Sequence, residues 1–202
     1  MNSARGLLQK YWGWSDFRPG QKEAIDASLS GKNTLIILPT GGGKSLCFQL
    51  TALLQDGICV VVSPLVALMI DQVSALKSKN IRALSIHGSM RENDLVEALD
   101  QCAFGNIKLL YLSPERLRNP IVCERLKTLP ISLLAIDEAH CISHWGHDFR
   151  PAYRQIAQFH SIINKPPVMA LTATATQRVK KDIIASLELE DTQLIQTSFR
   201  SE

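Results

Sequence analysis

The chain has 202 residues, 46% of them hydrophobic and 20% charged, which is the make-up of one globular domain and excludes a disordered or fibrous chain. A net charge of +3 is compatible with a nucleic-acid partner without demanding one. The five cysteines (Cys47, Cys59, Cys102, Cys123 and Cys141) are odd in number and scattered, which argues against a disulfide framework and for reduced thiols in an intracellular compartment, cytoplasmic or nuclear according to the organism. The polar, aromatic start from Met1 to Trp14 lacks the apolar core of a signal peptide, and no run approaches the length of a membrane span, so no membrane partner is expected.

In chain order, residues 1–22 are expected to form an N-terminal helical segment, followed by one domain over 23–202. Within that domain, short runs rich in Val, Ile and Leu alternate with amphipathic stretches. The predicted strands are 35–38, 58–63, 83–86, 107–112, 133–136, 168–172 and 193–197. The predicted helices are 21–29, 44–54, 65–77, 91–104, 153–163 and 177–187. Nearly continuous apolar strands are expected where helices cover both faces of a parallel sheet. The alternation therefore predicts an α/β fold with a mostly parallel sheet of about seven strands. Ligands of such sheets bind at the carboxyl ends of the strands. The chain stops at Phe199-Arg200-Ser201-Glu202, just after a predicted strand, and reads as a single domain cut from something longer.

Three motifs fall at those strand ends. Pro39-Thr40-Gly41-Gly42-Gly43-Lys44-Ser45 follows the first strand and opens a helix. Thr40 and its three glycines make a turn whose N–H groups converge on an anion, and the helix N-terminus adds to the field. Lys44 then reaches the outer phosphates of a nucleoside triphosphate, and the Ser45 hydroxyl is a ligand for Mg²⁺. The long form of this pattern has Gly six residues before the Lys, where this chain has Leu38. The shorter Thr-Gly-x-Gly-Lys-Ser form is the one found in helicase-like motors. Asp137-Glu138-Ala139-His140 leaves another buried strand, and two adjacent carboxylates there call for a cation. Asp137 is expected to hold Mg²⁺, and Glu138 to orient and deprotonate the attacking water. The hydroxyl-rich stretch with Thr172 and Thr174 leaves a third strand, from which it can hydrogen-bond the acidic pair.

Phe17-Arg18-Pro19-Gly20-Gln21, the phosphate-loop motif, Val61-Val62-Ser63-Pro64-Leu65, Tyr111-Leu112-Ser113-Pro114-Glu115-Arg116-Leu117, the Asp-Glu-Ala-His tetrad and the Thr-Ala-Thr segment occur in that order. Together they resemble superfamily 2 helicases. The stretch from His140 to Pro151 narrows the resemblance to the RecQ family of ATP-dependent DNA helicases, from about Tyr11 to Arg200. The resemblance implies a RecA-like P-loop NTPase fold, with this chain as the first of two such domains and the second supplying an arginine finger. It implies ATP and Mg²⁺ as cofactors, single-stranded and partly duplex DNA as partners, and 3′ to 5′ unwinding. It also makes Gln21 the reader of adenine. Arg18 and Trp14 would flank the base, although Trp14 fits a core aromatic as well. His140, Thr172 and Thr174 would couple the ATP and DNA sites.

The loop from Ile142 to Pro151 carries His144, Trp145, His147, Phe149 and Arg150, the side chains on which single-stranded nucleic acid stacks. The alternative is that Trp145 and Phe149 pack the loop down. Cys141, His144 and His147 have a regular spacing that a metal site also shows, without an obvious fourth ligand. Ser63-Pro64-Leu65 and Ser113-Pro114-Glu115-Arg116 are suited to contacts with phosphates, and Arg116 equally to a salt bridge. An isolated chain of this kind could also act only as a nucleotide- and DNA-binding module without unwinding.

Overall fold

A computed structural model of the chain describes residues 3–198, so Met1, Asn2 and the closing stretch Phe199 to Glu202 lie outside the described residues. All seven expected strands form: β1 (Asn33–Ile37), β2 (Ile58–Val62), β3 (Ala83–Ile86), β4 (Leu109–Leu112), β5 (Ile131–Ile136), β6 (Val168–Thr172) and β7 (Thr192–Gln196). They make one sheet in the order β3-β4-β2-β5-β6-β1-β7. Every pairing is parallel.

Neighbouring residues on a strand serve opposite faces, as the two-residue period requires. Leu35, Val60, Leu110 and Leu134 enter one core, with helices α5 (Glu92–Phe104), α6 (Pro120–Lys127), α7 (Ile156–Ile162) and α8 (Gln177–Ser186). Ile36, Val61, Tyr111 and Ala135 enter the other, with α2 (Gln21–Leu29), α3 (Lys44–Leu54) and α4 (Val66–Ser78). Covering both faces explains why β2 is buried at every position. Helix α1 (Ala4–Trp12) adds Leu7 and Leu8 to Ile25, Leu46 and Leu50, so it docks on α2 and α3. Helix α2 runs through the expected boundary at residues 22 and 23.

The element ends hold two differences. The helix expected over 153–163 is a 3₁₀ turn over Pro151–Gln155 followed by α7. Helix α6 was not expected. It starts with Asn119 Oδ1 accepting from the N–H groups of Ile121 and Val122 at 3.0 and 3.2 Å, and with Pro120 in the first turn. Among the described residues, no helix is long and apolar enough to cross a membrane.

The ladders continue into the loops that carry the motifs. Leu38 N–H donates to the Thr172 carbonyl at 3.2 Å, and Asp137 N–H to the Val62 carbonyl at 2.9 Å. Strand β6 lies between β1 and β5. Thr172 is therefore set between the phosphate loop and the acidic pair.

Candidate active site

The phosphate loop turns where predicted, and α3 begins at Lys44. Gly43 caps it at φ +73°, a backbone that other residues adopt only with strain. Gly42 N–H donates to the Pro39 carbonyl at 2.8 Å, closing the turn. Lys44 Nζ donates to the Leu38 carbonyl at 3.2 Å, which holds the amine at the mouth of the loop. Leu38 itself is fully buried in the same core as Ile36 and Phe48. Its side chain is an anchor beneath the loop, which accounts for the departure from glycine at this position.

Gln21 is fully buried behind the loop. Its Oε1 accepts from Arg18 N–H at 2.8 Å, and its Nε2 donates to the Gly43 and Gly42 carbonyls at 3.0 and 3.4 Å. The amide expected to read a base edge is thus bonded to the cradle itself. Arg18 also donates to the Gly41 carbonyl. Its guanidinium lies 5.3 Å from the centre of the Trp14 ring. That gap is less than two ring thicknesses, so Arg18 and Trp14 stack on each other and must part to admit a base. Trp14 is 40% exposed, which removes the alternative of a core aromatic.

Asp137 is buried at the end of β5, and its Oδ1 accepts Glu138 N–H at 3.0 Å. Burial, reinforced by the Glu138 charge, pushes its carboxyl up to about 6, while the Lys44 charge pulls the other way. Glu138 has φ +49°, a strained backbone for a residue with a side chain. That turn swings it away from Asp137 and toward His140, whose Nδ1 lies 3.3 Å from Glu138 Oε2.

His140 Nδ1 is also 2.8 Å from Thr172 Oγ1, and the Thr172 hydroxyl donates to the Thr174 carbonyl at 3.2 Å. Because Thr172 spends its hydrogen on Thr174, it accepts from His140. This places the imidazole proton on Nδ1. Burial lowers the His140 pKa, so the ring is neutral near pH 7 despite Glu138. The structure therefore brings His140, Thr172 and Thr174 into one hydrogen-bonded row, with a Glu138 carboxylate oxygen 3.3 Å from the His140 end.

The loop after the tetrad opens with a 3₁₀ turn over Ala139–Ile142. It folds back on the tetrad, with Arg150 N–H donating to the Cys141 carbonyl at 2.8 Å. Gly146 allows this closeness, since a Cβ there would come within 2.5 Å of the His140 carbonyl. The His147 ring stacks on His140 at 4.1 Å, and the His144 ring on Phe149 at 3.8 Å. Phe149 is thus used within the loop. Trp145 is not packed down: it is 58% exposed, with the Arg178 guanidinium 3.2 Å from its ring centre on one face. A cleft of about 350 Å³ between the loop and the Thr174–Thr176 turn is lined by His140, Trp145 and His147.

The metal alternative of Cys141, His144 and His147 does not assemble. The donors that gather are His140, Cys141 and Asp148, within 4.8 Å of one another. Asp148 there already binds Arg150 through two contacts of 3.2 Å. A guanidinium fills the charge requirement, and Arg150 is turned into this pair.

Ser63 and Ser113 are 2% and 1% exposed, and the Ser113 hydroxyl is buried. Among the described residues Arg116 has no salt-bridge partner: it donates to the His87 and Met90 carbonyls at 3.0 Å each, clamping the loop after β3. Sequence reasoning missed two features. Arg178 carries no motif and meets Trp145 only because α8 packs beside the loop. Gln72 and Gln49 read as ordinary helix residues and Tyr111 only as the first residue of the Tyr111–Leu117 motif, yet they form a polar row behind Ser45.

Residues 18–183 match the model of the DEAD/DEAH box helicase family. The chain is 46% identical over 191 residues to a protein of Bacillus subtilis named as a probable ATP-dependent DNA helicase, RecS, covering 94% of this chain and 38% of that one. It is 44% identical to the ATP-dependent DNA helicase RecQ of the same organism, covering 100% of this chain and 34% of that one. The chain thus spans well under half the length of these relatives. Among solved structures, the Hef helicase domain of Pyrococcus furiosus superposes with a TM-score of 0.69 at 24% identity over 96% of this chain and 39% of that one. The helicase MrfA bound to DNA superposes with a TM-score of 0.73 at 18% identity over 98% of this chain and 30% of that one. These two likenesses carry the RecA-like fold. With the family model matched over most of its length, the chain belongs to the DEAD/DEAH box helicase family, and within it is similar to RecQ-type DNA helicases.

Proposed function

We propose that this chain is the ATP-binding motor domain of a longer RecQ-like DNA helicase, working inside the cell on single-stranded and partly duplex DNA. In that protein, hydrolysis of Mg-ATP drives translocation on one strand and unwinding of the duplex, 3′ to 5′ by family resemblance. The observation that carries this reading is the gathering of cradle, acidic pair and loop at the carboxyl ends of one sheet. Lys44 and Ser45 end the phosphate turn, Asp137 and Glu138 end a strand of the same sheet, and the row His140–Thr172–Thr174 leads from Glu138 toward the loop of Trp145.

The donors fit the cofactors. The turn Thr40–Gly43 and the start of α3 present N–H groups to phosphate oxygens, with Lys44 reaching the outer phosphates. Ser45 Oγ and the buried Asp137 carboxylate are hard oxygen donors of the kind Mg²⁺ takes, and Asp137 lies within the field of Lys44. Bound there, Mg²⁺ would neutralise charge developing on the phosphates. Glu138 accepts the proton of the attacking water, and its contact with His140 ties its orientation to Thr172. Gln21, with Arg18 and Trp14 unstacked from each other, takes the adenine. Because Gln21 also holds the Gly42 and Gly43 carbonyls, base recognition and cradle shape share one side chain.

Trp145 is the exposed stacking surface of the DNA face, on a loop shaped by His144 stacked on Phe149, His147 stacked on His140 and Arg150 paired with Asp148. A second RecA-like domain of the parent protein would close the site with an arginine finger, worth orders of magnitude in related phosphoryl transfer. The chain spans 38% or less of the RecS and RecQ relatives. A second reading follows from that: alone, it binds nucleotide and DNA with little turnover.

ATPase activity of the chain with and without single-stranded DNA, beside Lys44→Ala and Trp145→Ala, tests this. We expect nucleotide binding that Lys44→Ala abolishes, and DNA stimulation that Trp145→Ala lowers while sparing nucleotide affinity. Binding unchanged by Lys44→Ala would refute the cradle. Stimulation intact in Trp145→Ala would refute the DNA face.

A further inference from the structure

Gln49 and Gln72, which lie outside the motifs, and Tyr111, which opens one, form a hydrogen-bonded row behind the phosphate loop. Tyr111, in β4, is 1% exposed. Its hydroxyl accepts from Gln49 Nε2 at 3.1 Å and donates to Gln72 Oε1 at 2.7 Å. Gln72 Nε2 then donates to Ser45 Oγ at 3.2 Å. Burial holds the Tyr111 phenol protonated far above its ordinary range, so it stays a donor throughout the working pH range. The row has one direction, from Gln49 through Tyr111 and Gln72 to Ser45.

Packing does not explain the Tyr111 hydroxyl. The ring meets Phe48 edge-on at 6.2 Å between centres, a contact that phenylalanine makes equally well. What the hydroxyl adds is a fixed Gln72 amide, and through it a fixed Ser45. A serine oxygen has two lone pairs and one hydrogen. Gln72 occupies one lone pair. The other lone pair and the hydrogen remain, and those are what a divalent cation and a phosphate oxygen require. The amide therefore removes the rotational freedom of Ser45 without competing for its ligands.

The partners come from different parts of the sheet. Gln72 lies on α4, which follows Ser63-Pro64-Leu65, and Tyr111 is two residues before Ser113-Pro114. Those two turns leave the neighbouring strands β2 and β4 on the same edge as the phosphate loop.

We propose that Gln72 and Tyr111 are positioning residues that set the Ser45 hydroxyl for the divalent cation of a bound nucleotide and tie it to the turns after β2 and β4. This rests on the nucleotide reading above. The test is the affinity of a fluorescent ADP analogue for the chain in Mg²⁺ and in EDTA, for the wild type, Gln72→Ala and Tyr111→Phe, with thermal unfolding confirming that each variant folds. Wild type gains affinity in Mg²⁺. Each variant loses about 3- to 10-fold in Mg²⁺, the scale of one hydrogen bond, and nothing in EDTA. Equal losses in both buffers indicate a purely structural role and overturn the proposal, as does no loss in either. Wild type that binds no analogue in either buffer overturns the nucleotide reading and this proposal together. Mg²⁺-dependent wild-type binding with unaffected variants overturns the positioning role alone.

Discussion

Thr172 is hydrogen-bonded to both His140 and the hydroxyl-rich turn, and Thr172→Val removes its hydroxyl while keeping its branched shape. The site is fully buried. Two hydrogen bonds are lost, the 2.8 Å bond from His140 Nδ1 and the 3.2 Å bond to the Thr174 carbonyl. At about 1 kcal/mol net for each neutral bond, and more where a buried group is left unpaired, the cost is about 1–3 kcal/mol. His140 retains Glu138 Oε2 at 3.3 Å, which moderates the loss. For a chain of this size each kcal/mol lowers the melting temperature by about 2–4 °C, so Thr172→Val melts about 2–12 °C below wild type. Thr172→Ser keeps the hydroxyl and recovers most of this. A second readout is the ring-nitrogen NMR spectrum of His140. Wild type shows the proton on Nδ1, and Thr172→Val shows that nitrogen shifted as its donor contact turns wholly to Glu138. Unchanged imidazole nitrogens together with a melting temperature within about 1 °C of wild type would show that the row carries no energy.

Two further outcomes follow from other parts of the structure. Gly43→Ala is disfavoured twice: its φ of +73° strains an L side chain, and the added Cβ runs into Gln21 Nε2. The expected loss is about 1–3 kcal/mol of stability together with the nucleotide affinity, and calorimetry showing either one unaffected contradicts this account. His160 donates Nε2–H to the Pro166 carbonyl at 2.7 Å, and burial lowers its pKa below the usual 6.5. Between that lowered value and 6.5 the unfolded chain binds more protons, so stability falls as the pH falls through this window. His160→Gln keeps a donor and does not titrate. Its melting temperature should fall less than that of wild type between about pH 7.5 and 5.5, and parallel curves would refute the linkage.

Much of the site was legible in the chain because its chemistry is local. The glycine turn, Lys44 and Ser45 are contiguous, and the helix after them begins at Lys44 as expected. The strands were legible because a parallel sheet covered on both faces demands unbroken apolar runs. Helix α6 had a readable signal in Asn119-Pro120. The break at Pro151–Gln155 was harder to see, since the apolar spacing continues through it while a 3₁₀ turn forms. The role of Leu38 was legible only as an anomaly. Its burial beneath the loop depends on α2 and α3 closing over it.

Sequence alone determined the phosphate cradle, the acidic pair and the succession of strands along the chain, because each is encoded by neighbouring residues or by an unbroken apolar run. Tertiary structure decided which side chains meet across that order. Strand β6 is inserted between β1 and β5, and this alone places Thr172 against His140. The adjacency of β2 and β4, with α3 and α4 packed over them, brings Gln49, Gln72 and Tyr111 behind Ser45. Helix α8 lays Arg178 on Trp145. These partners lie tens of residues apart in the chain, and only burial of the apolar faces of the sheet, which is blind to the polar groups it carries along, draws them within hydrogen-bonding reach.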